Sequence, residues 1–294
     1  MAGVVSSGRR PWWRSYVLLL PYLFFFGLFL LWPIVDGLRV SLMEYELVSR
    51  RAPRWVGLRN YAEALADPYF RKAFWATVVF VVLTTPLTIG VALLLSLGLQ
   101  RIVPSRRRVY RTLLFLPGLL TISVVAVLWR WMYNEQFGPL SELLEPLGVQ
   151  PPWLSRPGWA MASIVLMTLW WTVGGPMIIL LAGLGEIPDE FYEAADLDGA
   201  TGVTRLWHIT LPLLKPALLF VLVLNLIGSF QVFGQTFLVT GGGPELSTRV
   251  LVHYIFEAAF QGYRLGYGSA MSWLLFLVIA VFSILQARLM REKA

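Results

Sequence analysis

Glu193, Asp196 and Asp198 fall within six residues of one another in the stretch EAADLDGATGVTRLWHITLP, residues 193–212, between two long apolar runs. No histidine or cysteine stands close enough in sequence to make an acid–base or nucleophilic pair with them. Carboxylates beside the small residues Ala194 and Ala195 suit a different task. Small side chains let another backbone approach, and carboxylates recognise arginine. Residues 186–211 hold six acids and a single base, Arg205, so the segment breaks the basic pattern of its neighbours. It reads as a docking surface for a soluble protein rather than as an idle solvated loop.

A second set of residues is neutral. Asn225, Ser229, Gln231 and Gln235 lie in one apolar run. Thr168, Trp170, Trp171 and Thr172 lie in another, beside Gly174, Gly175 and Pro176, which loosen a helix. Uncharged hydrogen-bonding groups with aromatic platforms match the hydroxyls and apolar ring faces of a sugar. On one helix Asn225 and Ser229 share a face, and Gln231 and Gln235 share another. Buried polar residues also hold membrane helices together, and tryptophans collect at the membrane interface. Both readings stay open for Asn225 and Ser229; the second is the simpler one for Gln235, Trp170 and Trp171.

Several chemistries lack their residues. A P-loop needs Gly-Lys followed by Ser or Thr, and none of the three lysines, Lys72, Lys215 and Lys293, follows a glycine. His208 and His253 form no zinc-protease pattern and read as loop residues on opposite sides. With no cysteine there is no disulfide and no thiolate ligand or nucleophile. The chain is therefore expected to bind no metal or cofactor itself.

The elements that must position these residues are membrane helices. Apolar residues make up 57% of the chain and charged ones 14%, against about 25% charged in a soluble domain. Residues 15–35, 73–99, 112–129, 157–185, 216–244 and 265–287 contain no Asp, Glu, Lys or Arg. A helix of roughly 20 apolar residues crosses a bilayer, and inside it every backbone group needs an internal partner. The fold expected is all-α, with six transmembrane helices over residues 15–287 and short tails at 1–14 and 288–294. The first run has no small-residue cleavage site and reads as a retained helix. The third is short and opens with Pro117–Gly118. Charge-free runs also leave a proton relay without residues to use, which points to energy supplied from outside the membrane.

With both termini in the cytoplasm, the inner segments hold 13 Lys or Arg and the longer outer ones 11. The density favours that orientation, and the net charge of +7 reads as helix-flanking arginine rather than as a nucleic-acid surface. Residues 186–212 are then cytoplasmic. Pro188, Asp189 and Glu190 suit the start of a short helix, and Gly199 its end. A second short helix is expected from Thr201, a plausible cap, to Ile209.

Glu193-Ala194-Ala195, three residues, Gly199, nine residues, Ile209, one residue, Leu211-Pro212 resembles the EAA loop of permease subunits of binding-protein-dependent ABC importers. Residues 55–80 and 238–276 resemble the carbohydrate-uptake branch. The resemblance implies a type I ABC importer permease fold in a bacterial or archaeal plasma membrane. The partners implied are a second homologous permease, two copies of a cytoplasmic ATPase that carries ATP and Mg, and an extracytoplasmic solute-binding protein. Carried over by position, Glu193, Ala194, Ala195, Asp198, Gly199, Ile209, Leu211 and Pro212 couple to the ATPase. Asn225, Ser229, Gln231, Thr168, Trp171, Thr172 and Gly175 are the candidate pathway residues. The alternative from another class is a self-sufficient secondary transporter or channel driven by an ion gradient.

Overall fold

The computed structural model describes residues 13–49 and 52–291; of the tails expected at 1–14 and 288–294, residues 1–12 and 292–294 lie outside them. Among the described residues, four helices are long and apolar enough to cross a membrane: Leu19–Ser41, Pro68–Gln100, Gly202–Phe230 and Leu265–Gln286. Two bent pairs complete the six expected spans if each counts once. Pro104–Leu119 meets Ile122–Met132 at 97°, and Pro157–Thr172 meets Gly174–Gly185 at 50°. The only strands among the described residues are the short antiparallel pair Met43–Glu44 and Arg54–Trp55.

The chain divides into two units. The first comprises residues 1–64 and 258–273. In it the loop after the first span is pinned by Asn60, whose amide donates to the carbonyls of Ser41 and Met43 at 2.8 Å each. Gly266 lets the backbone of Met43 come close, since a Cβ there would stand 2.0 Å from the Met43 oxygen.

The second unit, residues 65–257 and 274–294, carries the candidate site. Its backbone is the helix Pro68–Gln100, the second span. Asp67 caps it by accepting from the Tyr69 N–H at 2.8 Å, which satisfies one of the orphan donors of a helix start. The inward face carries Phe80, Thr84, Thr85, Thr88, Ala92 and Leu99. Its lower half packs with Met177, Leu180 and Leu184 of the fourth span and Leu214 and Val221 of the fifth. These recur at three, four and seven residues, the period of a buried helical stripe. Helix association in lipid depends on close contact rather than on escape from water. Gly183 supplies it, as a Cβ there would lie 2.9 Å from that of Ala217.

Both bends have local causes. Pro117 and Gly118 form a tight turn, Leu116–Leu119, that breaks the third span. The freed carbonyl of Leu120 accepts from the indole N–H of Trp171 at 3.1 Å. In the fourth span the break falls at Val173. A Cβ on Gly174 would stand 2.7 Å from the oxygen of Leu114 and the Cα of Phe115, so only glycine lets the helix Pro104–Phe115 reach the bend.

Two expectations need correction. The fifth span does not run from 216 to 244. It begins at Gly202, passes a wide turn at Leu206–Thr210 and stops at Phe230. The helix expected from Thr201 to Ile209 is thus not separate but the first part of this span. Pro212 lacks an N–H, and the wide turn, with Leu211 donating to the Leu206 oxygen, carries the chain past it.

Candidate functional site

Asp189–Leu197 is a helix with Pro188 at its cap position and Asp189 and Glu190 in its first turn. It ends as expected. Gly199 has φ +72°, the Gly199 N–H donates to Asp196 O at 3.1 Å, and the Ala200 N–H donates to Ala195 O at 2.9 Å. This pair of bonds is a Schellman closure, and the positive φ favours glycine. Thr201 occupies the next cap position, but its side chain makes no capping bond.

Two contacts tie this helix to the base of the fifth span. Arg205 meets Asp196 at 2.8 Å, and Tyr192 Oη lies 3.2 Å from Thr210 Oγ1. Glu193, Ala194 and Asp198 are exposed, and Leu197 is 90% exposed. Ala195 is different. It is 6% exposed, so its methyl packs within this chain instead of standing free for a partner's groove. Ile209 and Leu211 are half-buried and Pro212 is exposed. His208 is a surface residue, with Nδ1 3.0 Å from the Thr204 oxygen.

Further along, the second, fourth and fifth spans enclose a cavity of about 350 Å³. It is lined by Thr168, Thr172, Gly175, Asn225 and Ser229, five of the seven candidate pathway residues, together with Gln235, Phe80 and Thr84. Gln231 and Trp171 are not among the lining residues. Gln231 is the C-terminal cap of the fifth span and exposed, and the Trp171 indole serves the broken third span. The helical face predicted for Gln231 and Gln235 does not exist, because Gln235 belongs to a new short helix, Gly234–Val239.

Beside the cavity, Thr85 Oγ1 donates to Ser229 Oγ of its wall at 3.3 Å, and Ser229 donates to Asn225 Oδ1 at 3.5 Å. Thr172 donates to the Thr168 carbonyl at 2.8 Å. Thr84 and Thr168 keep their own hydroxyls without a partner among the described residues. The sequence reading missed Phe80, Thr84 and Thr85. Their signal is the period of threonines along the second span, at 77, 84, 85 and 88.

A second buried polar group lies between the fifth and sixth spans. Arg249 Nη1 is 3.1 Å from Glu257 Oε2, and His253 Nε2 is 3.3 Å from Glu257 Oε1. The Arg249 guanidinium lies 4.6 Å from the Tyr254 ring centre and 5.2 Å from that of Tyr69. Tyr254 in turn donates to Asp67. His253, expected as an ordinary loop residue, is 2% exposed. Burial lowers its pKa below the usual histidine value, against the opposing pull of Glu257. The preceding turn, Thr240 to Pro244, is ordered as expected: Thr248 Oγ1 donates to Gly243 O and meets Thr240 Oγ1, both at 2.7 Å.

Bent and continuous membrane-length helices, a cavity with no charged lining residue and an exposed carboxylate-bearing helix fit a membrane permease. Residues 70–292 match the family described as binding-protein-dependent transport system inner membrane component, and the chain belongs to that family. It is a multi-pass membrane protein and a permease subunit of an ABC importer. The sn-glycerol-3-phosphate transport system permease protein UgpA of Brucella suis is 34% identical over 279 residues, 95% of this chain and 94% of the relative. The sulfoquinovosyl glycerol transport system permease protein SmoG of Agrobacterium fabrum is 32% identical over 282 residues, 94% and 90% of the two chains. The arabinooligosaccharides transport system permease protein AraP of Bacillus subtilis is 31% identical over 298 residues, 97% and 94%. A chain of a bacterial ABC transporter that imports the acidic polysaccharide alginate shares the fold, with a TM-score of 0.81, 24% identity and 96% of each chain covered.

Proposed function

We propose that this chain forms half of the translocation pathway for a sugar or sugar-like solute and is driven through the helix Asp189–Leu197 by an ATPase on another polypeptide. The observation that carries this reading is continuity. From Gly202 to Phe230 the chain is one continuous helical span that takes in the wide turn Leu206–Thr210. Its first end is clamped to the carboxylate-bearing helix by Asp196–Arg205 and Tyr192–Thr210, and its far half presents Asn225 and Ser229 to the cavity. At 1.5 Å per residue, the 23 steps from Gly202 to Asn225 span about 35 Å. Displacement of the exposed helix is therefore delivered to the cavity wall by a rigid element.

In this reading the exposed Glu193, Ala194, Asp198 and Leu197 face the ATPase, which binds ATP and Mg. Ala195, Gly199, Ile209, Leu211 and Pro212 shape the lever behind them. A second, related permease completes the pathway, and a binding protein delivers solute from the opposite side. The alginate transporter of the same fold has also been solved in complex with an alginate pentasaccharide-bound periplasmic protein. The residues around Gly199 are cytoplasmic, and so are both termini. The relatives' named solutes are polyhydroxylated, which supports a solute of that kind here.

The test is Gly199→Val in the importer reconstituted with its partner subunits. A branched residue at φ +72° costs about 1–2 kcal/mol locally and misdirects the exit of the exposed helix. Solute-stimulated ATP hydrolysis should fall about tenfold with the subunits still assembled, a change of about 1.4 kcal/mol. Wild-type stimulation would remove the coupling role from this segment.

A further inference from the structure

A groove between the second and sixth spans shares no lining residue with the cavity of the second, fourth and fifth. Its volume is about 390 Å³, within the range of about 300–1,000 Å³ usual for ligand sites. The second span contributes Arg71, Phe74 and Trp75, and the sixth Leu274, Leu277 and Val278. Each set is spaced by three and four residues, so each runs along one face of its helix. Phe70 and Leu251 are buried behind them, and the whole lining falls within the second unit. Trp75 is 63% exposed and Leu277 53%, so this chain leaves the groove open along two membrane helices.

The groove offers polar atoms of one kind only. Its polar side chains are Arg71 and Trp75, and a guanidinium and an indole N–H donate but accept nothing. Arg71 is exposed and makes no ion pair or side-chain hydrogen bond among the described residues. Beside it Lys72 donates to the Glu245 carbonyl at 2.6 Å. Both stand near the start of the helix Pro68–Gln100, the end where free N–H groups carry partial positive charge. Phe74 and Trp75 lie one turn deeper.

A charged donor above an apolar slot matches an amphiphile with an anion above hydrocarbon. The guanidinium fork suits phosphate oxygens, and basic pockets between membrane helices take anionic lipid headgroups. Aromatic side chains near the ends of spans suit the boundary between headgroup and chain. A polyol's hydroxyls would find no side-chain acceptor here, and an uncharged lipid would leave Arg71 unanswered. A neighbouring helix would need an acid at one particular depth, whereas a phospholipid carries its phosphate there in every copy.

We propose that the groove between the second and sixth spans seats one anionic phospholipid, with its phosphate on Arg71 and an acyl chain against Phe74, Trp75 and Leu277.

The intact importer, with its partner permease and ATPase, is placed in nanodiscs of equal parts phosphatidylglycerol and phosphatidylethanolamine with the same acyl chains. A photoreactive p-benzoylphenylalanine replaces Leu277, and mass spectrometry identifies what it captures on illumination. It should capture phospholipid, with phosphatidylglycerol ahead by about fivefold. Arg71→Gln, a change at an exposed position, should bring the two lipids to parity with the importer still assembled. The same probe in place of Phe276, exposed on another face of the same helix, should show no preference. Capture of another subunit, or of no lipid, overturns the occupant. Parity at Leu277 with Arg71 present, or a preference that survives Arg71→Gln, overturns the headgroup contact. An equal preference at Phe276 would mean general enrichment around the protein and overturns the site.

Discussion

The second unit holds two buried polar groups of opposite design. Around Glu257, Arg249 and His253 take its two oxygens and the rings of Tyr69 and Tyr254 flank the guanidinium, while Arg249 Nε and Nη2 and His253 Nδ1 have no hydrogen-bond partner among the described residues. Around Asn225 nothing is charged, and two buried hydroxyls have no partner. The first arrangement holds the segment after the Thr240–Pro244 turn against the start of the second span through an ion pair and ring contacts. The second carries no charge and borders a cavity. Buried atoms without a partner stand in both, so charge rather than completeness separates them.

The largest effect should come from breaking the charged cluster. Glu257→Leu leaves Arg249 buried at 10% side-chain exposure without its carboxylate. Removing one partner of a buried pair costs about 3–5 kcal/mol. Thermal unfolding in detergent should show a clear loss, and unaltered melting would mean that the pair carries no structural load.

Asn225→Leu attacks the other group and should do the reverse. Transport should fall about tenfold in kcat/KM, about 1.4 kcal/mol, with the assembled complex intact. Loss of the complex instead would make Asn225 a fastener between helices.

Acid separates the two more gently. The pKa of His253 is depressed in the fold by burial, so the unfolded segment binds the proton more readily. Its contribution to stability is full above the unfolded value of about 6.5 and is lost as pH falls through the lower folded value. Hydrogen exchange across residues 249–257 should speed up in that window, while exchange around Asn225 should not follow. His253→Gln should abolish the difference, and equal acceleration in the variant would exclude the histidine as the cause.

The smallest effect should be Thr88→Val. It deletes a fully buried, unpartnered hydroxyl and should raise stability by up to about 1 kcal/mol without touching transport. A loss of stability would show that the hydroxyl has a partner.

Legibility followed the range of the interaction. The Gly199 turn was readable because its cause is local: a positive φ that glycine supplies, four residues after Ala195. The bends at Pro117–Gly118 and Gly174 were readable as weak points, though not as the 97° and 50° turns they become. Gln231 and Gln235 were misplaced because four-residue spacing means a shared face only while the helix lasts, and it stops at Phe230. Thr84 and Thr85 were missed because a threonine inside an apolar run looks the same whether it faces lipid, a neighbouring helix or a cavity. The cluster around Glu257 was missed because its residues read as part of a charged outer loop.

By itself the sequence determined that this chain is a helical membrane protein with no P-loop pattern, carrying an acidic segment between its fourth and fifth apolar runs. Those properties follow from composition, run length and short-range backbone geometry. Only the tertiary structure decided that the residues after the Gly199 turn belong to the fifth span itself, and which few polar side chains meet at the cavity. A cavity is made by the approach of three helices far apart in the chain, and that approach depends on side-chain packing at glycines and bends, which no periodicity along one helix records.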